Sequence, residues 1–297
     1  MLTLPQRLLY FSDLVAGYFS KISCPSCGSE DSGLVDRKKL VARLFECGHC
    51  KLRFRHPRDE ESTLSRFYQE QYSEPDGITT RLPDAAKNLA AGNDLLQLGE
   101  GARSAKRLIP CLTAITKRQE IKSLRLLDYG CSWGYMLQEF RALGCNVQGF
   151  EISQPRAAFG REQLCLEIVT DPSEVRKNND IVVCSHVIEH VPDPRQLLNT
   201  LRALTLADGY VLLMCPNGSR EMQASLPSIY RKMWGKVHPN MISSEFLLAT
   251  LPDVPLLIAT EITDLFGLAE NWNGRSVLQA DNMSGIELFA VIRGGNE

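Results

Sequence analysis

From residue 124 onward, short apolar runs alternate with amphipathic stretches, and this alternation limits the fold more than any other feature of the chain. The apolar runs are rich in Leu, Ile and Val, and the stretches between them place apolar residues at helical spacing. Strands that alternate with helices at this interval form a parallel sheet that is covered on both faces. The sequence therefore predicts an α/β domain with strands in LRLLDYG, NVQGFEIS, LEIVTD, DIVVCSHV and YVLLMCPN, and helices in YMLQEFRALG, PRAAFGREQL and DPRQLLNTLRAL.

The composition of the 297 residues is that of an ordinary globular protein, with 44% hydrophobic and 23% charged residues. This excludes disordered, collagenous and coiled-coil chains, and a formal net charge of -2 excludes a strongly basic nucleic-acid coat. No apolar run approaches the roughly 18 residues that a spanning helix requires. We therefore expect a cytoplasmic protein without membrane insertion, whose N-terminal stretch 1–23 is an amphipathic helix and not a secretory signal.

Four of the ten cysteines form two closely spaced pairs near the N-terminus. Cys24-Pro-Ser-Cys27 is followed after 19 residues by Cys47-Gly-His-Cys50, and each pair occupies a turn that lets two thiolates converge on one ion. Two such pairs match a closed tetrahedral Zn²⁺ site, which has a structural role because no coordination position stays open. The other interpretation is that the four are unrelated buried or redox thiols.

The segment that holds these pairs, which we call the ribbon, is strongly basic. Residues 36–58 contain eight Lys or Arg and two acidic residues, a local net charge of +6. Such a surface docks RNA or the phosphates of a nucleotide-linked substrate, or it is a solvated face without a partner. The segment lacks the dense aromatic residues that stack bases, so the sequence favours the solvated face. The basic residues are Arg37, Lys38, Lys39, Arg43, Lys51, Arg53, Arg55 and Arg58.

A glycine-containing loop follows the first strand of the α/β domain, in LLDYGCSWGY. Gly130 and Gly134 let a ligand approach the backbone closely. A dinucleotide site requires G-x-G-x-x-G, and Asp128 and Trp133 replace two of those glycines, which disfavours pyrophosphate. The Asp128 carboxylate repels phosphate but suits a cofactor with an ammonium and a sulfonium. Glu151, at the end of the next strand, is placed to accept hydrogen bonds from both hydroxyls of a ribose.

These motifs together resemble the class I S-adenosylmethionine-dependent methyltransferases. The likeness rests on LLDYGCSWG, FEIS, NNDIVVCSHVIEHVPDP and LADGYVLLMCPN. The cysteine pairs, followed by HPRDEESTLSRFYQEQY, add a narrower similarity to bacterial methyltransferases with an N-terminal zinc ribbon, many of which modify polysaccharides, other sugar-linked compounds or small molecules. The resemblance implies a Rossmann-like, doubly wound, mostly parallel sheet of seven strands with an antiparallel last strand, and ligands at the carboxyl ends of the parallel strands.

The resemblance also implies which residues bind S-adenosylmethionine. The glycine loop would line its methionine end, Glu151 would hold the ribose, and Ile152 would pack on the adenine. Thr170 and Asp171 would approach the adenine, although a plain strand-ending turn is the alternative for both. Ser132 stands where many members have glycine, and a side chain this small should have little effect. The full set is Asp128, Gly130, Cys131, Ser132, Gly134, Glu151, Ile152, Thr170, Asp171 and Ser185, with His186 closing the pocket beside Ser185.

Three of the five histidines, His186, His190 and His238, fall at the predicted mouth of the sheet and are candidate catalytic bases. The first two lie four residues apart, on one face if the segment is helical. H-x-x-E-H is also the signature of inverted zinc proteases, which the sheet context disfavours.

A divalent metal is a further hypothesis for these histidines. Some class I methyltransferases that act on hydroxyl groups, including small-RNA 2′-O-methyltransferases, bind a divalent ion with E-x-x-E-H and a distant histidine. By that resemblance a second metal would lie near His186, Glu189, His190 and His238. A histidine in place of the first glutamate weakens the case for Mg²⁺, and the alternatives are cofactor lining, substrate contact or local packing.

We expect three regions: an N-terminal helix and zinc ribbon over 1–59, a helical connector or lid over 60–120, and a methyltransferase domain over 121–297. The segment 217–243 is too long for a plain αβ connection and is a candidate insertion that covers the substrate. The expected function is methyl transfer to a small-molecule, nucleotide-sugar or saccharide acceptor, at oxygen or carbon. The alternatives are an RNA methyltransferase that docks RNA on the ribbon, and a non-catalytic ribbon protein with a degenerate methyltransferase scaffold.

Overall fold

A computed structural model describes residues 17–38, 41–59 and 104–295 of the chain. Most of the predicted N-terminal helix and of the predicted connector therefore lies outside the described residues. The structure describes residues 104–120 of the predicted connector, and 105–116 of these are helical. Ser104 caps a 3-10 turn over Ala105–Leu108, and this turn leads into an α-helix over Ile109–Thr116. No helix among the described residues is long and apolar enough to cross a membrane.

The described residues form strands and α-helices that we number in chain order. The strands are β1 (Ser32–Lys38), β2 (Ala42–Cys47), β3 (Arg53–His56), β4 (Arg125–Tyr129), β5 (Asn146–Phe150), β6 (Ile168–Val169), β7 (Asn179–Ser185), β8 (Thr205–Pro216), β9 (Asn240–Met241), β10 (Leu256–Ala259), β11 (Val277–Gln279) and β12 (Glu287–Arg293). The helices are α1 (Ile109–Thr116), α2 (Tyr135–Ala142), α3 (Gln154–Leu164), α4 (Pro194–Ala203), α5 (Arg220–Ser225), α6 (Pro227–Met233), α7 (Ser244–Thr250) and α8 (Ile262–Asn271).

The central sheet has the strand order β11-β10-β12-β8-β7-β4-β5-β6. The strands from β6 to β8 in this order are parallel, whereas β12 is antiparallel to both β8 and β10. The predicted doubly wound, mostly parallel sheet with an antiparallel last strand is therefore confirmed. It has one strand more than the expected seven, the short edge strand β11. A strand of three residues is too short to show an alternating pattern.

Both faces of this sheet are buried, which explains why its strands are nearly continuous apolar runs. Neighbouring residues of a strand point to opposite faces, so Leu127 packs on one side and Leu126 on the other, and Val182 and Val183 divide in the same way. Helices α4 and α7 cover the face of Leu127, and α1, α2, α3 and α8 cover the opposite face.

Helix α4 begins at a point that its sequence encodes. The Asp193 carboxylate accepts hydrogen bonds from the backbone N–H groups of Arg195 at 2.9 Å and Gln196 at 3.1 Å, and Pro194 occupies the first turn. This is a helix N-cap followed by a residue whose φ already suits a helix. The cap ends the segment between β7 and α4, which carries two of the predicted catalytic histidines.

The ribbon is an antiparallel sheet of β1, β2 and β3, and the 217–243 insertion adds a fourth strand to it. Strand β9 pairs with β3, with Asn240 opposite Phe54. Helices α5 and α6 of the insertion supply Met222 and Tyr230 to a small core that includes Leu44 of β2. The insertion therefore packs against the ribbon, and Phe45 and Phe54 of the ribbon also belong to the core cluster on the Leu127 face of the large sheet.

Candidate functional site

The loop after β4 has a backbone conformation that favours glycine. Gly130 and Gly134 have φ values of 84° and 87°, and Ser132 between them has 53°. A Cβ atom at Gly130 would lie 2.3 Å from Cγ2 of Val187, so a larger residue requires a shift there. The Gly130 N–H donates to the Phe150 carbonyl at 2.7 Å, which ties the loop to the end of β5. The predicted glycine loop therefore packs closely on the turn after β7, where Val187 lies.

Two buried carboxylates adjoin this loop. Asp128 is 3% exposed and Glu151 is 5% exposed, near the ends of the neighbouring parallel strands β4 and β5. Glu151 accepts hydrogen bonds from the N–H groups of Ser132 at 2.9 Å and Ser153 at 2.8 Å. Burial, together with the charge of Glu151, raises the pKa of Asp128 to about 7, and burial also raises the pKa of Glu151. A pair of buried carboxylates with raised pKa values favours a positively charged ligand.

Arg156 is a candidate site residue that the sequence did not reveal. Its Nη1 donates to Ser132 Oγ at 2.7 Å, and its guanidinium lies 4.9 Å from the centre of the Trp133 ring. Burial raises the pKa of Glu151, and the charge of Arg156 counteracts that effect. The serine that replaces glycine in this loop therefore gains a specific partner. No local signal marks Arg156, because an arginine on a helix is ordinarily a surface residue.

Three other predicted cofactor residues differ in what their side chains can contact. Cys131 is buried, with its sulfur against Gly149 of β5. Its backbone, and not its side chain, is therefore the part that can line the predicted cofactor site. Ile152 is 44% exposed and follows Glu151 directly, so it is available to pack on a planar ring. Ser185 ends β7 beside the turn that carries the histidines.

Thr170 and Asp171 follow β6 and form part of a turn. The Thr170 hydroxyl accepts a hydrogen bond from Gln154 Nε2 at 3.0 Å. Asp171 caps a 3-10 turn by accepting from the Ser173 N–H at 2.8 Å, and hydrogen bonds from Ser173 lower the pKa of Asp171. Thr170 and Asp171 thus lie in a strand-ending turn, which was the alternative interpretation of both residues from the sequence.

The segment from His186 to His190 is a turn after β7 and not a helix. His186 has a φ of 54°, in the left-handed region that non-glycine residues seldom adopt. Both histidines approach Glu189: Nδ1 of His186 is 3.3 Å and Nε2 of His190 is 3.6 Å from Glu189 Oε1. Because this described segment is not helical, His186 and His190 do not share a helix face, and the helical geometry of an H-x-x-E-H protease site is absent from it.

His238 comes from the insertion and joins the same group. Its ring centre lies 4.9 Å from that of His190. Burial lowers the pKa of His238 to about 4, and the charge of His190 acts in the same direction. Glu189 is fully buried, and although burial raises its pKa, the charges of the surrounding histidines lower it to about 2. The structure thus brings the three predicted histidines around one buried carboxylate.

Glu287 is a second carboxylate at this site, and sequence analysis did not identify it. It begins β12 opposite Pro216 of β8, and its Oε1 lies 3.2 Å from His186 Nε2. His186 is therefore held between two carboxylates, those of Glu189 and Glu287. His186 and Glu287 are 101 residues apart in the chain, and the pairing of β12 with β8 brings them together.

The four predicted metal-binding cysteines converge at one end of the ribbon. Their sulfur atoms all lie within 4.8 Å of one another, and the Cys24–Cys50 and Cys27–Cys47 sulfur pairs are each 3.5 Å apart. In a tetrahedral site with Zn–S bonds of about 2.3 Å, the sulfurs are separated by about 3.8 Å. The cysteine cluster therefore fits a zinc ion bound by four thiolates.

Most of the described basic residues of the ribbon make internal contacts. Arg53 is 4% exposed and donates to Glu46 and Tyr230, at 2.8 Å each. Arg55 is fully buried and pairs with Asp59 at 2.8 Å. The expectation of a solvated face is therefore wrong for Arg53 and Arg55. Lys38, Arg43 and Arg58 also contact other parts of the chain, and among the described basic residues of the ribbon Arg37 and Lys51 are exposed.

The known proteins that this chain resembles are methyltransferases. Residues 84–259 match a family model described as a methyltransferase domain. The chain is 25% identical over 142 residues to a ubiquinone biosynthesis O-methyltransferase of Cupriavidus pinatubonensis, and 26% identical over 148 residues to one of Pseudomonas aeruginosa. These alignments cover 43% and 46% of this chain and 50% and 58% of the relatives. The chain thus spans about half the length of the curated relatives it matches.

A solved structure with the same fold is that of the plantazolicin methyltransferase BpumL in complex with a pentazolic desmethylPZN analog and SAH. The TM-score is 0.51, with 16% sequence identity over 78% of this chain and 96% of that chain. The family match covers more than half of this chain, and the cysteine ribbon and the glycine loop both agree with the resemblance seen in the sequence. The chain therefore belongs to the methyltransferase domain family, among the class I S-adenosylmethionine-dependent members, and carries a four-cysteine ribbon.

Proposed function

We propose that this protein transfers a methyl group from S-adenosylmethionine to a small-molecule, nucleotide-sugar or saccharide acceptor, at oxygen or carbon. The observation that carries the proposal is the buried pair of carboxylates, Asp128 and Glu151, beside the glycine loop. Family membership supports the class of reaction. The curated relatives are named as O-methyltransferases, which favours oxygen as the acceptor atom.

The carboxyl ends of β4 and β5 suit S-adenosylmethionine. An ionised Asp128 would attract the ammonium of its methionine part, and the loop from Gly130 to Gly134 would line the same part. Each carboxylate oxygen has two lone pairs, so Glu151 can accept from the ribose hydroxyls in addition to its two backbone donors. Ile152 would pack on the adenine. The backbone of Cys131 and the side chains of Ser132, Thr170, Asp171 and Ser185 complete the proposed set.

The chemistry requires little beyond alignment and, for a hydroxyl acceptor, a base. When bound, S-adenosylmethionine supplies a methyl carbon that its positive sulfur has already activated. The oxygen–carbon bond forms as the carbon–sulfur bond breaks, the electron pair stays on sulfur, and the hydroxyl proton passes to a base. His186 is our candidate for this base, because the carboxylates of Glu189 and Glu287 stabilise the imidazolium that results. His190 and His238 are the alternative bases.

We also propose that Cys24, Cys27, Cys47 and Cys50 bind one structural Zn²⁺. The distances between their sulfurs support this, and a closed four-thiolate site leaves no position for substrate. The ion would stabilise the ribbon sheet. Because β3 of the ribbon pairs with β9, the ion would also support the insertion that carries His238.

The two alternative functions have less support. Docking of RNA on the ribbon depended on its positive charge, and Arg53 and Arg55 are buried in structural contacts. A degenerate, non-catalytic scaffold has no need for the buried Asp128 and Glu151, whose raised pKa values oppose folding unless a cation binds.

Titration of S-adenosylhomocysteine into the purified full chain, followed by calorimetry, tests the proposal. We expect binding that Glu151→Ala weakens at least about tenfold, the equivalent of about 1.4 kcal/mol. Glu162→Ala, an exposed carboxylate on α3, is the matched control and should bind normally. The proposal is wrong if the wild-type protein does not bind, or if Glu151→Ala binds equally well. If S-adenosylhomocysteine binds as expected, an acceptor screen with a labelled methyl donor would identify the substrate.

A further inference from the structure

Arg156 is a buried charge at the end of a helix where a cation is ordinarily destabilising. Its side chain is 1% exposed, and it lies in the first turn of α3, which begins at Gln154. Arginine is seldom fully buried, because removing its charge from water is costly. The N-terminus of a helix carries a partial positive charge, which adds repulsion to that cost. The groups that offset both costs belong to the glycine loop and to the end of β5.

Helix α3 holds two successive residues of the glycine loop. Nη1 of Arg156 donates to Ser132 Oγ at 2.7 Å, and its guanidinium lies over the Trp133 ring, 4.9 Å from the ring centre. A cation in this position is attracted by the face of the tryptophan ring. Phe159, one turn further along α3, packs its ring edge-on with that of Trp133 at 5.4 Å between centres. Arg156 and Phe159 therefore fasten the loop to the helix that follows it.

The contact with Arg156 bears on the backbone of Ser132. The φ of Ser132 is 53°, in the left-handed region that a residue with a Cβ adopts only at a cost that glycine avoids. In this conformation the Ser132 N–H donates to Glu151 Oε2 at 2.9 Å. The hydroxyl bond to Arg156 thus fixes the residue whose N–H holds Glu151. A glycine would reach the same conformation without this help, so Ser132 and Arg156 form a matched pair.

Arg156 also acts on the charge of Glu151. Burial raises the pKa of Glu151, and the charge of Arg156 counteracts this, together with backbone N–H groups. Asp128, from the neighbouring strand β4, is a second negative charge in the same space and opposes the ionisation of Glu151. The adjacent Cys131 thiol stays neutral, because burial raises its pKa well above the usual value. An ionised carboxylate is the stronger hydrogen-bond acceptor, so Arg156 favours the form of Glu151 that suits a ribose.

We propose that Arg156 is a positioning residue of the cofactor site, which holds Ser132 in the binding conformation of the loop and keeps Glu151 ionised to accept the ribose hydroxyls. The part that concerns the ribose rests on the proposed function. The pairing of Ser132 with Arg156 follows from contacts within the chain and is testable without the cofactor. Because Arg156 acts through these two residues, its effect should appear in cofactor affinity and in the pH dependence of that affinity.

Calorimetric titration of S-adenosylhomocysteine into the full chain tests the effect on Glu151. Arg156→Met removes the charge and should weaken binding at least about tenfold at about pH 6.5. Without the cation the pKa of Glu151 rises further, so the loss relative to the wild-type protein should shrink as the pH rises to about 8.5. Arg156→Lys retains the charge and should recover most of the affinity. Since Asp128 titrates in every variant, each is compared with the wild-type protein at the same pH.

Arg161→Met is the matched control. Arg161 is an exposed arginine of the same helix, and its Nη1 donates to the Ile168 carbonyl at 3.1 Å. This variant should bind S-adenosylhomocysteine as the wild-type protein does at each pH. Circular dichroism establishes that every variant is folded.

Urea unfolding of the ligand-free chain tests the pair itself. Arg156→Met should lower the urea midpoint when Ser132 is present and should lower it less in a Ser132→Gly background, because glycine needs no hydroxyl partner. Equal shifts in the two backgrounds would refute the pairing of Ser132 with Arg156.

Two binding results would overturn the role of Arg156 in the cofactor site. One is wild-type affinity in Arg156→Met at about pH 6.5. The other is a loss that is the same at every pH and that Arg156→Lys does not reduce, since a merely structural role gives that result. Absence of binding by the wild-type protein contradicts the methyltransferase proposal instead, and the unfolding experiment then still decides whether Arg156 fixes Ser132.

Discussion

The Arg58 guanidinium donates to Asn240 Oδ1 at 2.8 Å and so joins the end of the ribbon to the insertion. Its other terminal nitrogen donates to the Pro192 carbonyl at 2.9 Å, just beyond the turn that carries His190. Asn240 also donates to the Val191 carbonyl, and its N–H donates to the Glu189 carbonyl. One arginine of the ribbon therefore holds together both segments that build the histidine cluster.

Replacement of Arg58 by alanine should destabilise the whole protein. Asn240 is fully buried, and the loss of two charged hydrogen bonds is expected to lower the free energy of unfolding by about 2–4 kcal/mol. Urea unfolding followed by circular dichroism measures the change. Arg37→Ala, an exposed arginine of the same sheet, is the control and should change stability by less than about 0.5 kcal/mol. Equal stability of the two variants would mean that Arg58 does not hold the ribbon to the insertion.

Loss of one ribbon cysteine should remove both zinc and stability. Cys24→Ser is expected to lose the single ribbon zinc and at least about 2 kcal/mol of stability, because binding of a structural metal contributes directly to folding. Elemental analysis and thermal unfolding measure both quantities. Cys165→Ser, an exposed cysteine after α3, should retain both. A full zinc content in Cys24→Ser would contradict the proposed four-thiolate site.

The buried Asp128 should make the stability of the ligand-free protein depend on pH. Its folded pKa of about 7 lies above the ordinary value of about 3.9, so its contribution to stability is fully present below about pH 4 and is lost as the pH rises to about 7. Asp128→Asn should therefore gain stability relative to the wild-type protein across this range, as measured by urea unfolding at several pH values. A difference that does not change with pH would refute the raised pKa.

Asp128 should also make cofactor binding depend on pH, with the affinity rising over the range in which the stability of the ligand-free protein falls. The ionised form attracts the ammonium of the ligand, so the affinity of the wild-type protein for S-adenosylhomocysteine should increase as the pH rises from 6 to about 7.5. Calorimetric titrations at matched ionic strength measure this dependence. Asp128→Asn should bind more weakly and lose most of the dependence, and an unchanged pH profile in this variant would argue against a role for Asp128 in the site.

Gly130→Ala should damage the glycine loop. The positive φ and the 2.3 Å approach to Val187 predict a loss of about 1–3 kcal/mol in stability, with weaker binding of S-adenosylhomocysteine. Gly267→Ala in α8 is the opposite case, since no atom lies within 4 Å of its added Cβ, and it should stabilise the protein by about 0.5–1 kcal/mol. Thermal unfolding of both variants checks the contrast. Similar effects in the two would contradict the proposed strain at Gly130.

Much of the candidate site is encoded over short stretches of sequence. The strand before Asp128, the glycines of the loop and the carboxylate at the end of β5 follow from apolar runs and local turn chemistry. The spacing of Cys24, Cys27, Cys47 and Cys50 likewise predicted the cluster, because two turns that each present two thiols can converge on a single ion.

Contacts between segments that are distant in the chain could not be predicted from the sequence. The pairing of β9 with β3, the burial of Arg53 and Arg55, and the contact of His186 with Glu287 have no local signal, since each partner lies far away in the chain. The contact of Val187, in the turn from His186 to His190, with Gly130 of the glycine loop likewise has no local signal. The sequence by itself determined the elements of the sheet and the residues of the glycine loop, because periodicity and turn preferences act over a few residues. Only the tertiary structure decided which charges are buried and which side chains share a site, because these depend on the pairing of remote strands.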